Sequence, residues 1–139
     1  MIGLGNAYYD TCKPDYAIEY YTRALTIDDT SFDVHYNLAN AFFLTEDFET
    51  AVSHYLRAIE LNRSKPETHY NLGNALCKIQ NYSGAMDSYT KALELDDTQA
   101  PTHYNLGNTC YMLERYQDAV NAYLRALEIK PTVECHFNL

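Results

Sequence analysis

One tetrapeptide constrains this chain more than any other feature. His35-Tyr36-Asn37-Leu38 returns as His69-Tyr70-Asn71-Leu72 and again as His103-Tyr104-Asn105-Leu106, at the same interval both times. A fourth copy, His136-Phe137-Asn138-Leu139, arrives one position early. Three more columns keep that interval: Ala17, Ala51, Ala85 and Ala119; Tyr21, Tyr55, Tyr89 and Tyr123; Ala24, Ala58, Ala92 and Ala126. Columns in phase over so short a chain define a tandem array, whose units are stable because neighbours cover one another.

Each unit reads as two helices. Asn37, Leu38, Ala41 and Phe42 recur at helical spacing, and a second amphipathic stretch runs from Phe48 through Ala51, Val52, Tyr55, Ala58 and Ile59. The polar turn Thr45-Glu46-Asp47 separates them, with Asp47 placed to cap the second helix. Gln80-Asn81 and Glu114-Arg115 are the equivalent turns. Units are joined by Asp28-Asp29-Thr30-Ser31, Asn62-Arg63-Ser64-Lys65-Pro66, Asp96-Asp97-Thr98 and Lys130-Pro131, which combine capping residues with prolines at helix ends. Gly5, Ala39, Gly73 and Gly107 are expected to face the Ala17 column across each helix pair. Leu38, Tyr55 and their equivalents are expected to fill the layer between units. Only 5 Gly and 4 Pro interrupt the chain, which suits short connections in an all-α protein.

Charge narrows the partners. Ten basic residues face 19 acidic ones, a formal net charge of -9. That argues against nucleic acid and anionic membranes as ligands, since phosphate contacts need a basic footprint. No apolar run approaches the roughly 20 residues that span a bilayer. The N-terminus lacks the basic and apolar regions of a signal peptide. Cys12, Cys77, Cys110 and Cys135 form no CxxC pair and share no repeat column, as expected for unpaired thiols in a reducing, cytoplasmic setting. Asn62-Arg63-Ser64 and Asn81-Tyr82-Ser83 are glycosylation sequons and keep a secreted form open.

The repeating unit, with its Leu-Gly pairs (Leu72-Gly73, Leu106-Gly107) followed by the Ala, Tyr and Ala columns, resembles the tetratricopeptide repeat in pattern and in length. His35, His69 and His103 stand at the position of that family's Trp. The resemblance covers the whole chain, residues 1–139: a partial repeat at 1–31, complete repeats at 32–65, 66–99 and 100–133, and the start of a further one at 134–139. It implies a right-handed superhelical solenoid of antiparallel helix pairs, with the first helix of each pair lining a concave face. Fold alone does not assign function.

On that face the resemblance places Asn37, Asn71 and Asn105, with Asn6, Asn40, Asn74 and Asn108 one turn along. Tyr36, Tyr70 and Tyr104 flank the first set; Tyr9, Phe43, Cys77 and Tyr111 lie beyond the second. An amide offers two donors and an acceptor, so a ladder of them can hold an extended peptide backbone. The tetratricopeptide arm of O-GlcNAc transferase-type proteins resembles this pattern most, on Asn37, Asn71 and Asn105; Gly3 interrupts the ladder in the first unit. The other reading is that these amides bond neighbouring helices. A second ligand mode of the family, a cationic clamp for a C-terminal carboxylate, needs Lys and Arg where this chain has Tyr36, Asn37, Glu67, Tyr70 and Asn71, which argues against it.

Four histidines share one repeat column. Equivalent helices packed roughly 8–10 Å apart hold them too widely for zinc, which takes His nitrogen at about 2.0–2.1 Å. They are expected to replace core Trp, with no metal and no cofactor. Gly3-Leu4-Gly5 lacks the remaining glycine of a phosphate loop, and no nucleophile–base–acid set stands out. The expected function is a non-catalytic scaffold that binds a protein or peptide. The alternatives are the substrate-selecting arm of a larger glycosyltransferase-like enzyme, or an array that self-associates end to end through uncapped terminal repeats. Leu4 and Tyr8 at one end and Val120, Tyr123 and Leu127 at the other are the expected contacts.

Overall fold

The computed structural model describes residues 4–6 and 13–131. The chain divides into two compact units, Met1–Ser64 and Lys65–Leu139. In the first, residues 4–6 are helical, followed by α1 (Pro14–Ile27), α2 (Phe32–Leu44) and α3 (Phe48–Leu61). The second holds α4 (Pro66–Lys78), α5 (Tyr82–Leu95), α6 (Ala100–Met112) and α7 (Tyr116–Ile129). All regular structure among the described residues is helical. Helices pair as antiparallel hairpins, α2 with α3, α4 with α5 and α6 with α7; within each unit consecutive hairpins pack through α1 on α2 and α5 on α6.

The hairpin turns share one construction. Glu46, Gln80 and Glu114 adopt the left-handed conformation, at φ of 64°, 63° and 61°. Their amides bond back to the carbonyls of Phe43, Cys77 and Tyr111 at 3.0 Å, and the next amides, of Asp47, Asn81 and Arg115, reach Phe42, Leu76 and Cys110 at 2.9, 2.8 and 2.8 Å. This double closure satisfies the end of the first helix. Asp47 and Asn81 then open the second helix, their side chains accepting from the amides of Thr50 and Gly84 at 3.3 and 3.0 Å. One residue thus ends one helix and starts the next. Arg115 fills that place in the last hairpin without a side-chain cap.

The joints between hairpins repeat too. Asp28, Asn62 and Asp96 accept from both the amide and the hydroxyl two residues on, at Thr30, Ser64 and Thr98. The Thr hydroxyls hold the carboxyls of Asp28 and Asp96 below their ordinary range. Asn62-Arg63-Ser64 therefore stands in the column of Asp28-Asp29-Thr30, and Asn81 of the second sequon is a helix cap. Both motifs have structural work to do.

The core sets small residues against rings. A Cβ placed on Gly73 would lie 2.6 Å from the Tyr89 ring, with the three nearest atoms all on that ring. Gly5 and Gly107 meet Tyr21 and Tyr123 in the same way. The glycines of the small column thus lie directly against the tyrosine ring of their own hairpin. Tyr21, Tyr55, Tyr89 and Tyr123 are buried, and Tyr21 shares one core cluster with Val34 and Leu38 of the following hairpin, as expected of the layer between repeats. Tyr123, expected on an open terminal face, is only 4% exposed. Val120 is exposed and Leu127 half-buried.

Candidate functional site

Each buried tyrosine ends on an asparagine. Tyr21 donates its hydroxyl to Oδ1 of Asn6, Tyr55 to Asn40, Tyr89 to Asn74 and Tyr123 to Asn108, the last two at 2.5 Å. Burial and the neighbouring Tyr104 push the Tyr123 phenol up to about 12, and burial raises Tyr89 too. These hydroxyls stay protonated donors. The second asparagine column, read from the sequence as ligand-facing, thus has its carbonyl oxygens engaged within the hairpin.

The first column leans on the second. Asn37 donates Nδ2–H to Asn6 Oδ1 at 3.4 Å, and Asn105 donates to Asn74 Oδ1 at 3.2 Å and to the Tyr70 hydroxyl at 3.1 Å. Tyr–Asn–Asn chains therefore link consecutive hairpins within each unit. Asn37, Asn71 and Asn105 remain half-buried, as do Asn6, Asn40, Asn74 and Asn108. Tyr36, Tyr70 and Tyr104 are half-buried beside them. Their rings lie 6.2, 6.0 and 5.9 Å from those of Tyr55, Tyr89 and Tyr123.

Tyr111 sits apart from this set, 58% exposed. Its ring meets Tyr116 edge-on at 5.3 Å across the hairpin turn, as Phe43 meets Phe48 at 5.1 Å. Cys77, in the same column, places Sγ 3.4 Å from the Thr109 hydroxyl and 3.7 Å from that of Tyr89. Tyr8, Tyr9, Cys12 and Cys135 lie outside the described residues.

The histidine column is buried at His35, His69 and His103. His35 and His103 donate Nε2–H to the carbonyls of Asp29 and Asp97, both at 2.9 Å, tying the helix to the joint before it. In the first unit, His35 Nδ1 then faces His54 Nδ1 at 3.1 Å. Because Nε2 carries the His35 proton, His54 is the donor in that pair. Burial, and secondarily His35, holds the His54 imidazole below its ordinary value. No group of three metal-ligating side chains occurs among the described residues.

Sequence reasoning missed the phenol–amide link. Its signal was present: a Tyr follows an Asn at one fixed interval in four successive units, as Asn6 and Tyr21, Asn40 and Tyr55, Asn74 and Tyr89, Asn108 and Tyr123.

Comparison with known proteins agrees with the repeat fold. Tetratricopeptide-repeat family models match residues 5–46, 39–79, 73–114 and 100–133. No curated protein sequence matches the chain. Among solved structures, a crystal structure of MamA superposes with a TM-score of 0.94 at 22% identity, over 97% of this chain and 80% of that one. A second MamA crystal structure gives 0.89 at 26% identity, over 93% and 70%. MamA 41-end from Desulfovibrio magneticus RS-1 gives 0.89 at 16%, over 93% and 73%. At these identities the likeness is one of fold. Repeat matches that run from residue 5 to residue 133 decide the matter: the chain belongs to the tetratricopeptide-repeat family.

Proposed function

We propose that this protein is a non-catalytic interaction scaffold that holds an extended partner segment on its Asn- and Tyr-lined face. The observation that carries the reading is the anchoring of the first asparagine column, seen at Asn37 and Asn105. Asn37 and Asn105 each commit an N–H to the preceding hairpin. Anchoring one end of an amide fixes the direction of the other, so Oδ1 is pre-oriented to accept from a peptide N–H without ordering on arrival. Tyr36, Tyr70 and Tyr104 supply apolar area with few rotatable bonds beside these amides. This is the same pattern on which the likeness to the O-GlcNAc transferase arm rests. Replacing Asn37, Asn71 and Asn105 together by Ala should abolish capture on a peptide array while circular dichroism shows folded helix. Retained binding by the folded triple variant overturns the reading.

A second reading has its own observation. Tyr116, Val120 and Leu124 form an i, i+4, i+8 stripe on α7, 54%, 40% and 48% exposed. Their column equivalents in α5 include Met86, which packs on the cluster of Cys110 and Tyr123 in the following hairpin. Copies of the chain stacking through this stripe would repeat that contact without closing it. Light scattering over a concentration series tests this, with Val120→Lys and Leu124→Lys expected to keep the protein monomeric.

A further inference from the structure

The two units differ, column by column, in how one interhelical site is filled. In the first unit, Ile18 and Leu25 of α1 pack against the core that holds Leu38 of α2, and two rings, Phe42 and His54, lie beside them. Phe42 packs against that core. His54 stacks on Phe42 with centroids 5.7 Å apart and planes 6° from parallel, and its Nδ1–H meets His35 Nδ1. In the second unit the walls recur: Met86, Leu93, Leu106 and His103 stand two repeats after Ile18, Leu25, Leu38 and His35. The two filling rings do not. Cys110 replaces Phe42 and Ala122 replaces His54. What remains between α5, α6 and α7 is a cavity of about 440 Å³, lined by those walls and by both small residues.

Its chemistry is specified by what is missing. His103 is 9% exposed and donates Nε2–H to the Asp97 carbonyl, as His35 does to Asp29. Nδ1 is then a bare acceptor on the side where His54 completes the first unit. Cys110 adds no charge, since burial and Asp118 push its thiol up. At the rim, Arg115 bridges Asp118 at 2.8 Å and Met86 Sδ at 3.2 Å. An open, mostly apolar cavity with the His103 acceptor on its wall, and Arg115, Asp118 and Arg125 beside it, suits a flat aromatic ring that carries one N–H donor. Its volume lies in the ordinary range for small-ligand sites, about 300–1,000 Å³.

We infer that the cavity between α5, α6 and α7 binds an indole- or imidazole-class heteroaromatic ring that donates its N–H to His103 Nδ1. None of the Asn and Tyr residues of the candidate peptide face lines it, so it is a second site. The ring can arrive as a small molecule or as a partner's side chain, and the test separates the two.

The experiment titrates indole, 1-methylindole and N-acetyl-tryptophanamide into the intact protein, following the His103 ring resonances by NMR. Indole should shift them saturably, and 1-methylindole, which lacks the donor, should bind about 3- to 10-fold more weakly. Comparable binding of N-acetyl-tryptophanamide assigns the site to a partner's side chain; binding of indole alone assigns it to a free heteroaromatic. The variant Cys110→Phe/Ala122→His rebuilds the filling rings from the chain itself. It should lose indole binding and melt at a higher temperature than the parent. Should the double variant fail to fold, Cys110→Phe alone, which fills only the apolar part, should still weaken indole at least several-fold. Equal affinity for indole and 1-methylindole, no saturable shift up to the solubility of indole, or undiminished binding by a folded filled variant overturns the proposal.

Discussion

His54 couples stability to pH through a single side chain. Its imidazole donates to His35, stacks on Phe42, and is held below its ordinary value near 6.5. The unfolded chain therefore binds the proton more readily than the folded one, and stability falls as pH drops from 6.5 towards the lowered folded value. The melting temperature should decline over that window in the parent protein. It should decline less in His54→Gln, which keeps an N–H donor for His35 but does not titrate. Asparagine residues that look alike in the sequence part company at this scale. Asn74→Ala leaves the buried Tyr89 hydroxyl only the weak Cys77 sulfur and should cost about 1–3 kcal/mol in chemical denaturation. Asn105→Ala removes a half-buried donor and should cost about 0.5–1.5 kcal/mol.

The hairpin turn is where single elements can be improved. Gln80 holds a left-handed conformation that a side chain disfavours by roughly 1–2 kcal/mol. Gln80→Gly should raise the denaturation midpoint, the relief of that strain exceeding the extra entropy of an unfolded glycine. Arg115 occupies the capping place that Asp47 and Asn81 use, so Arg115→Asn should add about 0.5–2 kcal/mol of cap. The exposed pair with Asp118 is worth less than that in return. The helices themselves were legible because their cues are local. Asp47 starts α3 where its capping chemistry placed it, and the amphipathic stretch from Phe48 through Ile59 lies within that helix. What faces what was less legible. Gly73 reads as a partner for any small neighbour, and only the three-dimensional path of the Tyr89 side chain shows that the space is for a ring.

Across the whole molecule, period carries more information than any single motif. A column of identical residues announces a shared structural task, which is how the fold could be read. The candidate peptide face was half legible for the same reason: both asparagine columns are periodic, and period alone cannot distinguish an amide that braces a hairpin from one that offers an oxygen. The cavity in the second unit is legible only as a break in two columns, at Cys110 and Ala122. Net charge acts at this scale too. At -9, the protein should draw basic peptides faster than acidic ones. The association rate of a basic extended peptide should therefore fall as salt rises from about 0.01 M to about 0.15 M, where the Debye length shrinks from about 30 Å to about 8 Å. A salt-independent rate would mean that the field plays no part in encounter.

The phenol–amide bonds also bear on time. Each joins residues only 15 positions apart, so every hairpin closes on itself over a short stretch of chain. Short loops close in well under a microsecond, and proteins dominated by near-neighbour contacts fold fast. A ribosome adds about 5–20 residues per second. Each emerging hairpin can therefore latch its tyrosine onto its asparagine long before the next is synthesised, and growth of the array becomes the docking of finished pieces.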